Sequence, residues 1–313
     1  MKTAFIFPGQ GAQKVGMGRS LSGAARGARQ AFQDADRALG FSLSTLCFEG
    51  PEEELKLTAN TQPAILAASV AALRALGEHG IEPDFVAGHS LGEYSALVAA
   101  GALRFEDALR VVRRRGLFMQ EAVAVGEGAM AALIGCDIEV VREVCREASD
   151  LGICSPANIN SPRQTVIAGH RSAVERAVAL ARERGARKAV MLPVSAPFHC
   201  ELMRPASQKL AVVLGDTEFN DLTVPLVTNV DAAVIATGAQ ARDALCRQVV
   251  APVRWSESVG RLLEEGVTRF VELGPGKVLS GLVRQMDREC EILNIEDEES
   301  LSAAVAALSP GGE

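Results

Sequence analysis

The sequence predicts an α/β fold with a largely parallel sheet and a smaller inserted unit. Three observations predict it. Short apolar strands alternate with amphipathic helical stretches. The first two of these strands end in glycine-rich turns. A break at Gly126-Glu127-Gly128 opens a different pattern that closes before residue 196.

Thr3 to Phe7 is a short apolar strand that runs into Pro8-Gly9-Gln10-Gly11. Helical patterns follow around 20–39 and 62–78. Phe85-Val86-Ala87-Gly88 reads as a second strand ending at a tight turn, with helices at about 93–100 and 105–122 behind it. After the break, Ala129 to Ile134 reads as a strand and Asp137 to Ser149 as a helix with Asp137 at its N-cap. Cys154 to Ile159 and Gln164 to Ala168 are short strands. Ser172 to Arg184 is a helix whose Ser172 and Glu175 have capping-box spacing. Lys188 to Val194 is a further strand. The order β-α-β-β-α-β is that of the split ferredoxin-like unit, so residues 126–195 are expected to form a small subdomain and 1–125 with 196–313 the large one. The large part resumes with a helix from about 200, a strand over Val224 to Asn229, a helix over Trp255 to Glu265 and a strand over Arg269 to Leu273. The tail from Ser309 to Glu313 is expected to be disordered.

Composition narrows the function classes. The 313 residues suffice for a large core, and 48% hydrophobic with 23% charged residues is the balance of an ordinary globular protein. A net charge of −7 and pI near 5.4 argue against a nucleic-acid surface. No apolar run approaches the roughly 20 residues that span a bilayer. The seven cysteines are odd in number and lack any C-x-x-C spacing, which predicts reduced thiols in a cytoplasmic protein and no zinc or other metal site.

Gly88-His89-Ser90-Leu91-Gly92 is a G-x-S-x-G sequence between an apolar strand and a helix-forming stretch. That is the setting of a nucleophile elbow in an α/β-hydrolase-like core: the turn projects the serine hydroxyl clear of the sheet, and the helix N-terminus favours developing negative charge. The plainer reading is a glycine-rich turn with Ser90 as an N-cap.

A serine nucleophile needs a base, and the chain has four histidines. His79 sits near a helix end, His89 adjoins the serine and should point away from it, and His170 lies in the inserted unit. His199 stands where the chain re-enters the main domain, which makes it the best general base, against the reading of a packed structural histidine. No acid is obviously placed as a third triad member, so a neutral amide or carbonyl is expected to fix the imidazole tautomer.

The helix at 105–122 carries an apolar stripe of Ala108, Val111, Val112, Phe118, Met119 and Ala122, and Arg115 falls in its gap, on the buried face. Either an internal carboxylate pairs with this guanidinium or a ligand carboxylate does. The loop Phe7-Pro8-Gly9-Gln10-Gly11-Ala12-Gln13 is not a dinucleotide fingerprint, because Lys14 stands where the third glycine belongs. It is either an oxyanion-binding loop beside the elbow or a tight β-to-helix connection.

Ten segments in order then resemble the malonyl-CoA:acyl-carrier-protein transacylase family, which includes the acyltransferase domains of fatty-acid and polyketide synthases. They are FPGQGAQ (7–13), TQPAI (61–65), GHSLGEYSAL (88–97), RRGLFMQEAV (114–123), GAMAALIG (128–135), NINSPRQTVIAG (158–169), APFHC (196–200), TNVDA (228–232), RQVVAPVRW (247–255) and ELGPGKVL (272–279). The resemblance covers nearly the whole chain and implies an α/β-hydrolase-like core with a ferredoxin-like insert. It implies that Ser90 is acylated, that His199 is its catalytic partner and that Gln248 helps orient that histidine. It further implies that Arg115 grips a malonyl carboxylate and that the N–H groups of Gln10 and Leu91 form the oxyanion hole. Asn158 and Asn160 match asparagines near the active site, and Phe198 matches a malonyl-preferring pattern. The implied reaction moves a malonyl group from malonyl-CoA to acyl carrier protein, with coenzyme A as part of the substrate and no bound cofactor; a monomer is expected, though neither residues nor resemblance decide it. The rival readings are a serine thioesterase or hydrolase on a similar core, and a non-catalytic module that only docks a carrier protein.

Overall fold

Why the main sheet forms is visible in its strands. The computed structural model, which describes residues 1–194 and 196–309, contains ten strands and fourteen α-helices. The strands are β1 (Lys2–Phe7), β2 (Phe85–Gly88), β3 (Gly128–Ile134), β4 (Cys154–Ser161), β5 (Gln164–His170), β6 (Lys188–Met191), β7 (Leu226–Val227), β8 (Val234–Ile235), β9 (Val267–Leu273) and β10 (Glu291–Ile295). The helices are α1 (Arg19–Ala24), α2 (Arg26–Leu39), α3 (Leu43–Glu49), α4 (Glu52–Leu55), α5 (Thr58–Gly77), α6 (Gly92–Ala99), α7 (Phe105–Glu121), α8 (Ile138–Glu147), α9 (Arg171–Glu183), α10 (Arg204–Gly215), α11 (Gly238–Gln248), α12 (Trp255–Glu264), α13 (Val278–Met286) and α14 (Glu298–Leu308).

β1 is buried on both faces beyond its first residue, and β2 throughout, as a central parallel strand requires. The order is β10-β9-β1-β2-β7-β8, parallel from β10 to β7, with β8 closing one edge antiparallel. Phe7 pairs with Gly88, so the glycine-rich loops after β1 and β2 emerge side by side at the carboxyl end of the sheet. α5 lies almost wholly buried, and its run of alanines lets neighbouring elements approach closely.

The second sheet, β4-β5-β3-β6, is antiparallel throughout and built in the sequence order β-α-β-β-α-β. Its alternation splits two cores: Ala131 and Leu133 of β3 pack with Val141, Val144, Val174 and Val178 of α8 and α9, while Met130 and Val166 join the main core. Two backbone bonds tie β4 to the large sheet's side of the molecule, Ile159 N–H to Val253 O at 2.8 Å and Val253 N–H to Ala157 O at 2.9 Å. Among the described residues no helix is long and apolar enough to cross a membrane.

Several expected elements differ. The helical stretch at 20–39 is broken at Ala25, which adopts an extended conformation. Ser172 is not a cap: α9 begins one residue earlier, and the Ser172 hydroxyl donates to Leu151 O instead. Asp137 holds the N-cap position of α8, but its side chain makes no capping bond. The strand expected to reach Val194 ends at Met191, ahead of Pro193, which has no N–H to give a ladder. The chain after 200 opens with a 3₁₀ turn, Glu201–Met203, before α10. The strand expected over Val224 to Asn229 shrinks to β7, because Thr228 bonds to Ala232 and Ala233 in a turn and Asn229 turns its side chain onto Gly88 and Ser90. The tail beyond Ser309 lies outside the described residues.

Candidate active site

The elbow is made by glycines that nothing else can replace. A Cβ on Gly88 would lie 2.0 Å from the backbone of Gly92, and one on Gly92 would lie 2.0 Å from Phe7 O. One on Gly9 would lie 2.5 Å from His89 O. The first loop, the end of β2 and the start of α6 are therefore in backbone contact, and Ser90 is forced between them at φ +52°. That left-handed conformation is strained for serine, and Asn229 braces it. Asn229 Oδ1 accepts from Ser90 N–H at 2.6 Å, and its Nδ2 donates to Gly88 O at 2.6 Å.

His199, 3% exposed and itself at φ +58°, brings Nε2 to 2.6 Å from Ser90 Oγ. Its Nδ1 lies 2.9 Å from the main-chain carbonyl of Gln248 at the end of α11. A carbonyl only accepts, so Nδ1 carries the imidazole proton and Nε2 is the free base. The missing acid is thus a backbone oxygen. Burial first, and then the nearby Arg115 charge, push the His199 pKa down to about 3, so the ring is a neutral base at any ordinary pH.

Arg115 is 1% exposed on the inner face of α7. Nη1 donates to Gln62 Oε1 at 2.9 Å, and Nη2 donates to Gln248 Oε1 at 2.9 Å and to Ser90 Oγ at 3.1 Å. All its hydrogen-bond partners among the described residues are neutral oxygens, and buried Nε has no partner there. The internal carboxylate that one reading of the sequence allowed is absent from this contact set. A carboxyl, Glu93 of α6, is reached through the Gln248 amide, whose Nε2 donates to Glu93 Oε2 at 2.9 Å and to Ser90 O at 3.0 Å. Burial raises the Glu93 carboxyl to about 7 against the opposing pull of Gln248, Asn229 and Arg115.

The donors and acceptors now have one consistent direction. Arg115 can only donate, so Ser90 Oγ accepts from it and gives its own proton toward His199 Nε2, while His199 Nδ1–H gives to Gln248 O. A hydroxyl set between a cation and a neutral base is poised for deprotonation on attack. The N–H groups of Gln10 and Leu91 have no acceptor among the described residues, and Leu91 follows Ser90 in the chain, the position of an oxyanion donor in a nucleophile elbow.

The remaining sequence-based candidates fall into place unevenly. Asn160 Oδ1 lies 2.9 Å from His89 Nε2, which turns His89 away from the hydroxyl of Ser90. Asn158 is held by a bridge to Val253, and its side chain makes no hydrogen bond to Ser90, His199 or Arg115 among the described residues. Phe198 is 8% exposed and packs in the main core beside the histidine it precedes. No group of three or more His, Cys, Asp or Glu side chains among the described residues is placed to hold a metal ion.

Comparison with known proteins decides the family. Residues 4–307 match the acyl transferase domain model. The chain is 50% identical over 308 residues to the malonyl CoA-acyl carrier protein transacylase of Bacillus subtilis, covering 98% of this chain and 97% of that one. The chain belongs to the malonyl CoA-acyl carrier protein transacylase family. A solved transacylase from Coxiella burnetii superposes with a TM-score of 0.97 at 43% identity, over 99% of this chain and 98% of the other. A malonyl-transacylase solved in complex with a type II polyketide synthase acyl-carrier protein gives 0.96 at 46% identity, over 98% and 100%.

Three side chains of this transacylase-family site were not singled out from sequence: Gln62, Glu93 and Asn229. Each lies inside a family-like segment, TQPAI, GHSLGEYSAL or TNVDA. A buried polar residue in an otherwise apolar helix was the available signal for Gln62 and Glu93. Asn229, 139 residues from Ser90 and in no long element, left no such signal.

Proposed function

We propose that this chain transfers the malonyl group of malonyl-CoA to the phosphopantetheine thiol of an acyl carrier protein through a malonyl ester on Ser90. The observation that carries the reading is a buried guanidinium, without a carboxylate among its hydrogen-bond partners, 3.1 Å from a serine oxygen that also meets a neutral imidazole at 2.6 Å. A free carboxylate on the acyl group supplies the counter-charge that Arg115 lacks, and its planar fork suits a bidentate grip.

The steps follow from the hydrogen directions. His199 Nε2 takes the Ser90 proton as Oγ attacks the thioester carbon. The tetrahedral oxyanion rests on the N–H groups of Gln10 and Leu91. The C–S bond breaks, and coenzyme A leaves as the thiol with the proton from the imidazolium. The carrier-protein thiol then attacks the ester, giving its proton to His199, and Ser90 leaves with that proton. Gln248 acts twice, its carbonyl holding the imidazole tautomer and its side chain holding Arg115. Asn160 sets His89, Phe198 packs behind His199, and Asn158 is assigned a supporting place on β4, where its backbone bridges to Val253. Acetyl-CoA is disfavoured because it leaves the guanidinium unpaired in a dry site.

In this reading the large sheet with its helices is an α/β-hydrolase-like core made of 1–125 and 196–313, and 126–195 is a ferredoxin-like subdomain. The chain acts as a cytoplasmic monomer, with coenzyme A as a substrate moiety and no cofactor or metal. The test is transfer of labelled malonyl from malonyl-CoA to a holo carrier protein. Label on the carrier protein supports the reading; release of free malonate with none on the carrier protein replaces it with a hydrolase.

A further inference from the structure

The geometry points to Asn229 as a positioning residue that holds the nucleophile's own peptide, sustaining the left-handed Ser90 and keeping its N–H out of the oxyanion site. This rests on the reading of Ser90 as the acylated residue. β7 pairs with β2 through Leu226 and Val227, and the ladder stops there because β2 turns into the elbow. Two residues on, the Asn229 side chain continues what the backbone no longer can. Its amide spans Gly88 O and Ser90 N–H, at 2.6 Å each, as a strand neighbour's peptide would.

The amide has only one workable sense. Gly88 O is acceptor-only and takes Nδ2–H; Ser90 N–H is donor-only and takes Oδ1. Asn229 is fully buried, and its own N–H is fixed at 3.1 Å on Glu93 Oε2, so the side chain is held from both ends. Gln248 Nε2, bonded to the same Glu93 oxygen, clamps Ser90 O. Both main-chain groups of the strained residue are therefore tied to one carboxylate through two amides. With Ser90 N–H committed to Asn229, Leu91 and Gln10 are left as the oxyanion donors.

The test uses Asn229→Asp, which keeps the shape and removes one donor. As a carboxylate, the new side chain accepts from Ser90 N–H but turns a second acceptor onto Gly88 O. Protonated, it donates to Gly88 O and restores both bonds. The charged or titratable groups around it are Glu93 on α6, Arg115 on α7 by way of Gln248, His199 across Ser90, Asp231 two residues on with its ion-pair partner Arg247 on α11, and Arg254, whose main-chain N–H bonds Asn229 O and whose guanidinium bonds Val230 O and Asp231 O. Burial and Glu93 favour the protonated form, Arg115 opposes it, and the charge of Asp231 is offset by its ion pair with Arg247.

Single-turnover acylation by malonyl-CoA is followed by intact mass, with KM measured alongside and thermal melting as the check of folding. At pH about 8 the Asn229→Asp rate is expected to fall by between tenfold and a hundredfold, roughly one lost bond and one buried repulsion, with KM little changed. Glu93 itself protonates over this range in both proteins, so the comparison is with wild type at each pH: lowering pH toward about 5.5 is expected to raise the Asn229→Asp rate relative to wild type by at least roughly tenfold. If Asn229→Asp does not fold, the decision passes to Asn229→Ala, expected to lower the rate by roughly tenfold or more at unchanged KM. Wild-type rates in either variant, or a loss in Asn229→Asp that acid does not relieve, overturn the inference. Absence of any adduct on the wild-type protein instead overturns the assignment of Ser90.

Discussion

Arg115 Nη2 stands 3.1 Å from Ser90 Oγ, so in the proposed reaction the group assigned to the acyl carboxylate touches the group assigned to attack the acyl carbon. A malonyl unit has its carboxylate and thioester carbons separated by one methylene, and a site that handles both at once must place its cation this close to its nucleophile. Arg115→Ala is expected to lower the malonyl-to-acetyl ratio of Ser90 acylation by roughly a hundredfold or more, chiefly through loss of malonyl rate. Parallel single-turnover measurements with the two thioesters check it. A ratio unchanged from wild type removes Arg115 from substrate selection.

Gln62 offers the converse experiment. Its Oε1 accepts from Arg115 Nη1 at 2.9 Å, deep in the core. Gln62→Glu puts a carboxylate where the substrate's counter-charge is needed, and the resulting internal ion pair competes with malonyl. KM for malonyl-CoA is expected to rise by roughly tenfold or more, with melting temperature unchanged or higher. Steady-state kinetics and calorimetry on the one variant test both halves.

The His199 proton is a third point of test. With its pKa pushed down to about 3 by burial and then by Arg115, the imidazole stays neutral through pH 6.5, where a free one is half protonated. The unfolded chain takes up that proton below about 6.5 and the folded chain does not until about 3. This histidine therefore subtracts stability progressively as pH falls through that window. Nitrogen-15 NMR of the imidazole is expected to show a neutral ring with Nδ1 protonated throughout the window. Arg115→Ala removes the second cause and is expected to move the titration upward.

Much of this site was legible because its chemistry sits in short glycine-bounded strings. Ser90 was marked by the strand-turn-helix context of its motif, and His199 by elimination among four histidines. The orientation of His199 was not legible in detail, because a main-chain carbonyl carries no residue-type signature; Gln248 could be named by resemblance, but its separate bonds to His199, Arg115, Glu93 and Ser90 could not. Arg115 was placed on a buried face by its apolar stripe, whereas the absence of a carboxylate among its bonding partners needed coordinates. In the fold, β1, β2, β3 and the βαββαβ order were readable from alternation and punctuation. The short β8 and the late helices α11, α13 and α14 were passed over, since brief or alanine-rich segments have weak periodicity and are fixed by tertiary packing.

The elbow glycines set a stability limit. Gly92→Ala places a methyl 2.0 Å from Phe7 O, a backbone atom that cannot move without pulling β1 out of the central sheet. A loss of more than about 3 kcal/mol is expected, or failure to fold. Gly215→Ala, where the added methyl meets nothing within 4 Å and the backbone is helical, is expected to be neutral or slightly stabilising. Chemical denaturation of the pair checks the contrast.

The central claim is a carboxylate-selective acyl-serine, and intact-protein mass spectrometry after brief mixing with malonyl-CoA or acetyl-CoA, without carrier protein, tests it most directly. The account predicts one malonyl adduct on the wild-type chain, none on Ser90→Ala, and a far weaker signal with acetyl-CoA. Accumulation of free coenzyme A with no adduct, or equal labelling by the two thioesters, would contradict it.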